Sequence, residues 1–553
     1  MKSYISILFF SLFPLSICYS GGFKVQEQSL NGTALNSAYV AGSRGADASY
    51  YNPANMGFSN DWNENKSEFE FATSLIQIPG FNFQVPTTNQ GLRSHTTIAY
   101  DSFLQSVANL LPSVIPADID ILHSQADSQI INGSTGTTNF ILPKFFYKTR
   151  TKNGFTFGAS FVASSGLAMQ WKDKGGEFLQ DVFIMMVELS PSISYTFNDR
   201  ISFGFGPRIM YAMGSFNNVV YVPMKWKDGQ NLGGPTCIDP NNSCITLTGA
   251  DLDAIGIDNI PNELMSQSQK DMLKQLITPG TFLHTITLGK YNSIADIVKT
   301  STTTMYGTTK VYQKSEGKDL SAGYRLSASL RVFDNGMFSV VYNSSVPFHM
   351  KGSLEATSYV GGAMGNVLTQ TSLDIAVNMP EILTLAYAHE FFDKKLRIEG
   401  VYERTFWAKG PNFSVTPDFD NAIYTGLSGM VTHFSSDKLK SMVGLADFSQ
   451  VSNMGAGWRD TNTFRLGITY SNHKNLRLMG SIAYDEAPSP QNKIGIPDSN
   501  GYMFSLGGKY KFRDFILGVA YSLTLKDNRE SLYQQLLNLG QLRILTASLE
   551  YHW

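Results

Sequence analysis

The 553 residues carry a net charge of −2, with 16% charged, 42% apolar and 12% aromatic side chains. So charge-poor a chain excludes a nucleic-acid or polyanion partner, and its length suggests several soluble domains unless it is one long β-barrel. After the first twenty residues no stretch of about 18 apolar residues exists, which excludes helical membrane spans. A mean hydropathy of −0.11 does not exclude a barrel, because alternation hides a strand's apolar face from any average.

Lys2 and the apolar run from Ile5 to Ile17 precede Cys18-Tyr19-Ser20 and Gly21. This is the pattern of a secretory signal peptide over 1–20, cleaved after Ser20. Lipid attachment at Cys18 is the rival, opposed by Ile17 where a small residue is wanted. Residues 21–60 are rich in Gly, Ala and Ser, do not alternate, and carry a turn at Asn52-Pro53. They read as a plug in a lumen wide enough to accept it.

From about residue 68 the dominant signal has period two, as lipid-facing and lumen-facing strands require. Phe183 to Phe197 (its polar face from Glu188 onward), Ile201 to Arg208, Tyr324 to Arg331, Phe464 to Tyr470 and Phe515 to Leu525 show it. Fourteen strands are expected, at about 68–78, 139–149, 154–171, 181–197, 200–224, 318–333, 336–352, 373–390, 395–408, 461–471, 475–486, 501–512, 514–526 and 542–553. Short turns such as Asn153-Gly154, Asn198-Asp199 and Arg513-Asp514 oppose long segments at 79–138, 225–317, 353–372, 409–457 and 527–541. That asymmetry separates periplasmic turns from extracellular loops. Two loops carry helical stripes: Phe103, Val107, Leu110, Leu111 and Val114, then Leu264, Met265, Met272, Leu273 and Leu276. Each stripe either caps its own loop or forms an apolar landing site. Cys237 and Cys244 lie in a Pro/Asn/Gly-rich loop, and a disulfide is expected in an oxidising periplasm.

The last residues, Leu545 to Trp553, alternate to the end. Such a strand zips onto the first so that no backbone edge faces lipid. The expectation is an all-β, 14-stranded antiparallel transmembrane barrel over 61–553 with an N-terminal hatch over 21–60. The barrel would sit in a bacterial outer membrane as a monomer, its C-terminal strand engaging the periplasmic barrel-assembly machinery. Catalysis is not supported. The eight histidines are scattered and no H-E-x-x-H, G-x-S-x-G or Walker-type loop occurs. No cofactor or metal is called for; Asp251, Asp253 and Asp258 lack the spacing of a calcium loop.

Gly22-Phe23-x-Val25-x-Glu27-x-Ser29 and Asn52-Pro53-Ala54 resemble the hatch of the FadL family of outer-membrane channels. Phe157-Gly158-Ala159-Ser160 through Ala168, Asn378-x-Pro380-Glu381, and Asp485-Glu486-x-Pro488-x-Pro490 with Ile496-Pro497-Asp498 resemble its strands and a loop, in the family's order. The resemblance implies uptake of long-chain fatty acids or similar hydrophobic molecules, aromatic hydrocarbons being the alternative. Capture at extracellular loops, transfer to a lumen site beside the hatch, and lateral release into outer-membrane lipid would follow. It places Phe23 in the lumen site and the lateral opening on the third strand, where Ser164, Ser165 and Gly166 permit a kink. Asn52, Pro53 and Ala54 read as hatch residues that dock the plug or gate it. By phase, Arg208, Arg325, Arg331, Arg465, Arg477 and Lys509 point inward. Arg208 and Arg325 are the candidates for a ligand carboxylate, against pairing with lumen and plug carboxylates. Surface adhesion and lipid hydrolysis are the rival functions.

Overall fold

In a computed structural model of the chain, the described residues are 24–58, 62, 65–80, 82–87, 93–110, 118–121, 129–134, 136–170, 181–224, 245–260, 265, 267–361, 365–409, 414–418, 421–426, 457–473, 475–489, 498–530, 536–538 and 540–553. The signal segment, Phe23, Cys237 and Cys244 lie outside them.

Fourteen antiparallel strands form one closed wall. They are β1 (Glu68–Ile78), β2 (Thr138–Lys148), β3 (Phe155–Gln170), β4 (Asp181–Phe197), β5 (Ile201–Met224), β6 (Val298–Phe333) and β7 (Gly336–Asn343 with Val346–Gly361). Then come β8 (Gly365–Met379 with Ile382–Phe391), β9 (Leu396–Thr405), β10 (Thr461–His473), β11 (Leu476–Asp485), β12 (Gly501–Phe512), β13 (Phe515–Lys526) and β14 (Gln541–His552). The seam closes by pairing Phe69 with Tyr551 and Leu75 with Leu545. Backbone bonds between Ser67 and Trp553 in both directions (2.9 and 3.0 Å) lock its end. No strand edge is left to lipid there.

Alternation dictates the two faces. Phe157, Phe203, Leu506 and Leu517 are exposed on the outer wall, where lipid covers them. Near the short-turn end the outward residues are aromatic, and Trp553 stacks on Tyr551 (5.4 Å) and Tyr147 (6.1 Å). The short turns take left-handed residues, Asn153 and Gly154 (φ 53° and 80°) and Asn198 and Asp199 (φ 50° each). Tight two-residue hairpins need that conformation.

At the other end the wall keeps climbing. β6 alone has 36 residues, about 120 Å of extended chain. Residues 353–361 and 365–372, expected as loop, are strand and pair with each other. Segments from two long loops build a lid: α1 (Ser102–Leu110), α2 (Gly249–Ile255), α3 (Gln267–Ile277), α4 (Phe282–Ile286) and α5 (Ile294–Ile297). Leu104 and Ala108 share one buried cluster with Met265, Met272, Leu273, Leu276 and Ile294. Val107 of the first stripe and Met265, Met272, Leu273 and Leu276 of the second therefore share one core instead of capping separate loops, while Leu111, Val114 and Leu264 lie outside the described residues. The first is rotated from the expected phase, since Leu104 is buried and Phe103 exposed. Asp251 and Asp253 are spent on helix capping, of α2 through Thr248 and of α5 through Ile294 and Ala295.

Candidate functional site: a docked plug, an apolar chamber and a broken ladder

Residues 24–58 occupy the short-turn half of the lumen, touching strands around the circumference. Small inward residues let the plug backbone approach. A Cβ on Gly204 would stand 2.3 Å from the amide nitrogen of Ala54, and one on Gly518 would stand 2.7 Å from Leu30. Asn52 Nδ2 donates to Val40 O (2.9 Å) and Ser329 Oγ (3.1 Å). Ala54 N donates to Ser327 Oγ (2.9 Å), and Ser202 Oγ donates to Ala54 O (2.5 Å). Asn52-Pro53-Ala54 is thus a docking turn on β5 and β6. Across the lumen, Glu399 of β9 accepts the amides of Val40 (2.6 Å), Ala41 (2.7 Å) and Gly42 (3.0 Å). A carboxylate gathering three buried amides is a strong anchor.

The plug's leading end meets β3. Val25 N donates to Ser164 O (3.0 Å), Gln28 Nε2 to Ala163 O (2.7 Å), and Lys24 bridges Ser165. The Lys24 ammonium pairs with Glu403, which also takes Gln26 (2.7 Å) and Arg465 (3.2 Å). β3 itself is irregular here. Its register with β4 slips between Ala163 and Ser165, leaving Ser164 as the extra residue of a bulge. Its ladder with β2 runs only from Lys148–Gly158 to Phe145–Phe161. Beyond Phe161 the described edge of β3 makes no ladder with β2, and the plug bonds to it instead.

Above the plug the lumen changes character. Along β4 the inward residues run Thr196, Ser194, Ser192, Ser190 and Glu188, then Met186 and Ile184. Along β14 they run His552, Glu550, Ser548 and Thr546, then Ile544 and Leu542. The upper residues belong to one apolar cluster with Val25 of the plug, Phe140, Leu142, Val346, Phe348, Met350, Leu373, Val377, Trp407 and Trp458. Inward apolar residues at one height on so many strands make an apolar belt of the lumen wall, the chamber lining, floored by the plug and bordered by β3. The unbroken apolar run Phe183–Val187, where alternation stops, is its signal in the sequence.

Arg208 and Arg325 sit at the boundary between the two regions. Both grip Glu188, at 2.9 and 3.0 Å. Arg208 Nη1 also donates to Ser344 O (3.2 Å), Arg325 Nε to Asn343 Oδ1 (2.7 Å), and the Arg325 guanidinium lies 4.6 Å over the ring of Tyr50. Arg325 Nη1 is buried with no acceptor among the described residues. Arg465 and Lys509 are paired with Glu403 and Glu550, while Arg331 and Arg477 lie over Phe58 and Trp62. On the outer wall, a groove of about 650 Å³ between Phe338, Tyr387, Phe464 and Phe504 faces lipid and belongs to the membrane surface, not to the chamber.

A closed outer-membrane wall, a docked plug and an apolar chamber define a plugged transport barrel for hydrophobic molecules. A family model described as outer membrane protein transport protein (OMPP1/FadL/TodX) matches residues 13–531, and the chain belongs to this family, whose members are channels and not enzymes. Outer membrane protein P1 of Haemophilus influenzae is 21% identical over 482 residues, covering 84% of this chain and 85% of that protein. Among solved structures, a Pseudomonas aeruginosa FadL homologue has a TM-score of 0.57 at 16% identity, covering 96% of this chain and 99% of that one. The Pseudomonas putida toluene transporter TodX has a TM-score of 0.53 at 13% identity, covering 95% and 99%.

Proposed function

We propose that the protein takes up long-chain fatty acids or similar single-chain lipids, captured at the extracellular lid and loops, held in the apolar chamber and released sideways through β3. The observation that carries this reading is the chamber's position beside a strand whose ladder is already broken. From Val346 to Leu354 the chamber wall runs about 26 Å along the strand, longer than one leaflet of a ~30 Å hydrocarbon core. A full acyl tail fits that length, and each buried methylene contributes about 0.8 kcal/mol. Withdrawal of Lys24–Gln28 from the β3 edge opens the route into lipid. Arg325 Nη1 supplies the donor for a carboxylate at the chamber floor. The closing strand, ending at Trp553, is the segment offered to the barrel-assembly machinery.

Deleting Ser164 removes the bulge and joins Ala163–Val187 and Ser165–Met186 into one ladder. The variant should still give a heat-modifiable folded barrel while oleate uptake by cells falls severalfold. Wild-type uptake from a correctly folded variant overturns lateral release. Toluene is the known cargo of the TodX relative, and a neutral ligand needs no cation. Oleate binding unchanged in Arg325→Ala would favour a neutral hydrocarbon over a fatty acid.

A further inference from the structure

The wall is interrupted a second time, between β6 and β7. These strands pair over Arg325–Phe333 and again over Lys310–Lys318, while residues 319–324 make no ladder with β7. Six residues leave a slot about 20 Å long, closed at both ends by regular pairing. Exposed backbone in lipid must be satisfied; one backbone bond, from Ser344 N to Tyr324 O (2.9 Å), spans the lower end of the slot, and side chains supply others. Asp319 accepts the amides of Leu320 (2.8 Å) and His349 (2.8 Å), Tyr324 N donates to Ser344 Oγ (2.9 Å), and Arg208 donates to Ser344 O. Such bonds can part without unzipping a ladder.

The composition repeats that of the β3 break. Small residues line both edges, Ser321-Ala322-Gly323 on β6 and Ser344-Ser345 on β7, and a Cβ on Gly323 would lie 2.6 Å from Ser344 Oγ and 2.7 Å from Val346. Between those bonds, Ser344 and Val346 pack against Gly323 and narrow the slot. On its inner side stand Val346, Phe348 and Met350 of the chamber. On its outer side Leu320 is 66% exposed, and the rings of Tyr324 and Tyr342, 6.2 Å apart, mark the lower rim. β7 and β8 both change phase at this height, at Ser344-Ser345 and Pro380-Glu381, while staying paired to each other. The two therefore share a joint opposite the slot.

We infer that this slot is a lateral inlet through which an apolar molecule already dissolved in the outer leaflet enters the chamber without passing the loops. The inference rests on the chamber being a conduit, as proposed above. At its upper end the outward face turns polar, with the exposed His349 and Asp374 side chains 3.4 Å apart, and that places the slot at the outer-leaflet boundary of the wall.

Gly323→Cys with Ser344→Cys, in a chain with Cys237→Ser and Cys244→Ser, staples the slot where its two edges come closest. Oleate uptake should slow severalfold when the staple is oxidised and recover on reduction. Asp319→Ala, which frees the Leu320 and His349 amides at the slot, should quicken uptake and serves where the staple does not form. Equal rates for oxidised and reduced protein, or no acceleration in Asp319→Ala, overturn the inlet while the Ser164 deletion still blocks uptake. Wild-type uptake in the Ser164 deletion as well would instead overturn the conduit itself.

Discussion

Replacing Glu399 by alanine should release the plug while leaving the barrel intact. The carboxylate accepts three plug amides within 3.0 Å and is buried against Gly42, where a Cβ would stand 2.6 Å from Glu399 Oε2 and 2.7 Å from Arg397 Nε. Hydrogen bonds to a charged acceptor contribute roughly 1.5–3 kcal/mol each. Because one group makes all three and Arg397 still donates to Gly42 O (3.0 Å), their sum is not additive, and about 4 kcal/mol is the expected loss. That is close to three powers of ten in the ratio of docked to released plug. Glu399→Gln keeps one acceptor oxygen and should lose about half as much. Planar-bilayer recording reads the outcome as frequent large openings in the alanine variant, fewer in the glutamine variant and rare ones in wild type. Protease cleavage near Arg44 should follow the same order. Wild-type conductance and protection in Glu399→Ala, from protein with normal heat-modifiable mobility, would refute the anchor.

The chamber makes a sharper demand on side-chain polarity than on shape. Phe348→Glu should weaken oleate binding by the contact of one buried aromatic, roughly 1.5–3 kcal/mol or about 10- to 100-fold, followed by tryptophan fluorescence from Trp407 and Trp458, which face each other at 5.0 Å in the same cluster. Leu273→Ala in the lid core should cost about 2–5 kcal/mol and lower amide protection in 98–108 as well as 267–276; loss confined to one segment would refute the shared core. The lid should also loosen in acid. Against the upward pull of its own burial, hydrogen bonds from Lys290 and Tyr291 hold the Asp101 carboxyl below its usual range, and bonds from Thr248 and from the Asn292 amide lower Asp251 and Asp296. A carboxyl depressed on folding stabilises above its unfolded pKa and loses that contribution as pH falls through the folded value. Hydrogen exchange in the lid should therefore accelerate from about pH 4 downward, and a lid equally protected at pH 3 and 6 would contradict these assignments.

The wall was legible because lipid imposes period two on every strand, so β1, β5 and β12 begin or end within a residue of where alternation does. The turns were legible too, since left-handed Asn and Gly announce them. The lumen was harder. Alternation tells which residues face inward, but the plug and the chamber divide that face at a height set by neighbouring strands. The run Phe183–Val187 carries that division only in hindsight. Arg208 and Arg325 were found by phase, yet their grip on Glu188 joins β4, β5 and β6 and has no local signature. The β6–β7 slot was missed because Ser321-Ala322-Gly323 continues the alternation of β6 without interruption; the break lies in pairing, which one strand's sequence does not record. The lid joins Leu104 to Leu273 across 169 positions, a contact with no periodic trace.

That shared lid core couples two loops that a simple barrel would leave independent. A binding protein, an antibody or a predator that selects changes in one loop also acts on the packing of the other. Surface variation in this molecule should therefore move in compensating pairs across the 93–110 and 245–298 segments.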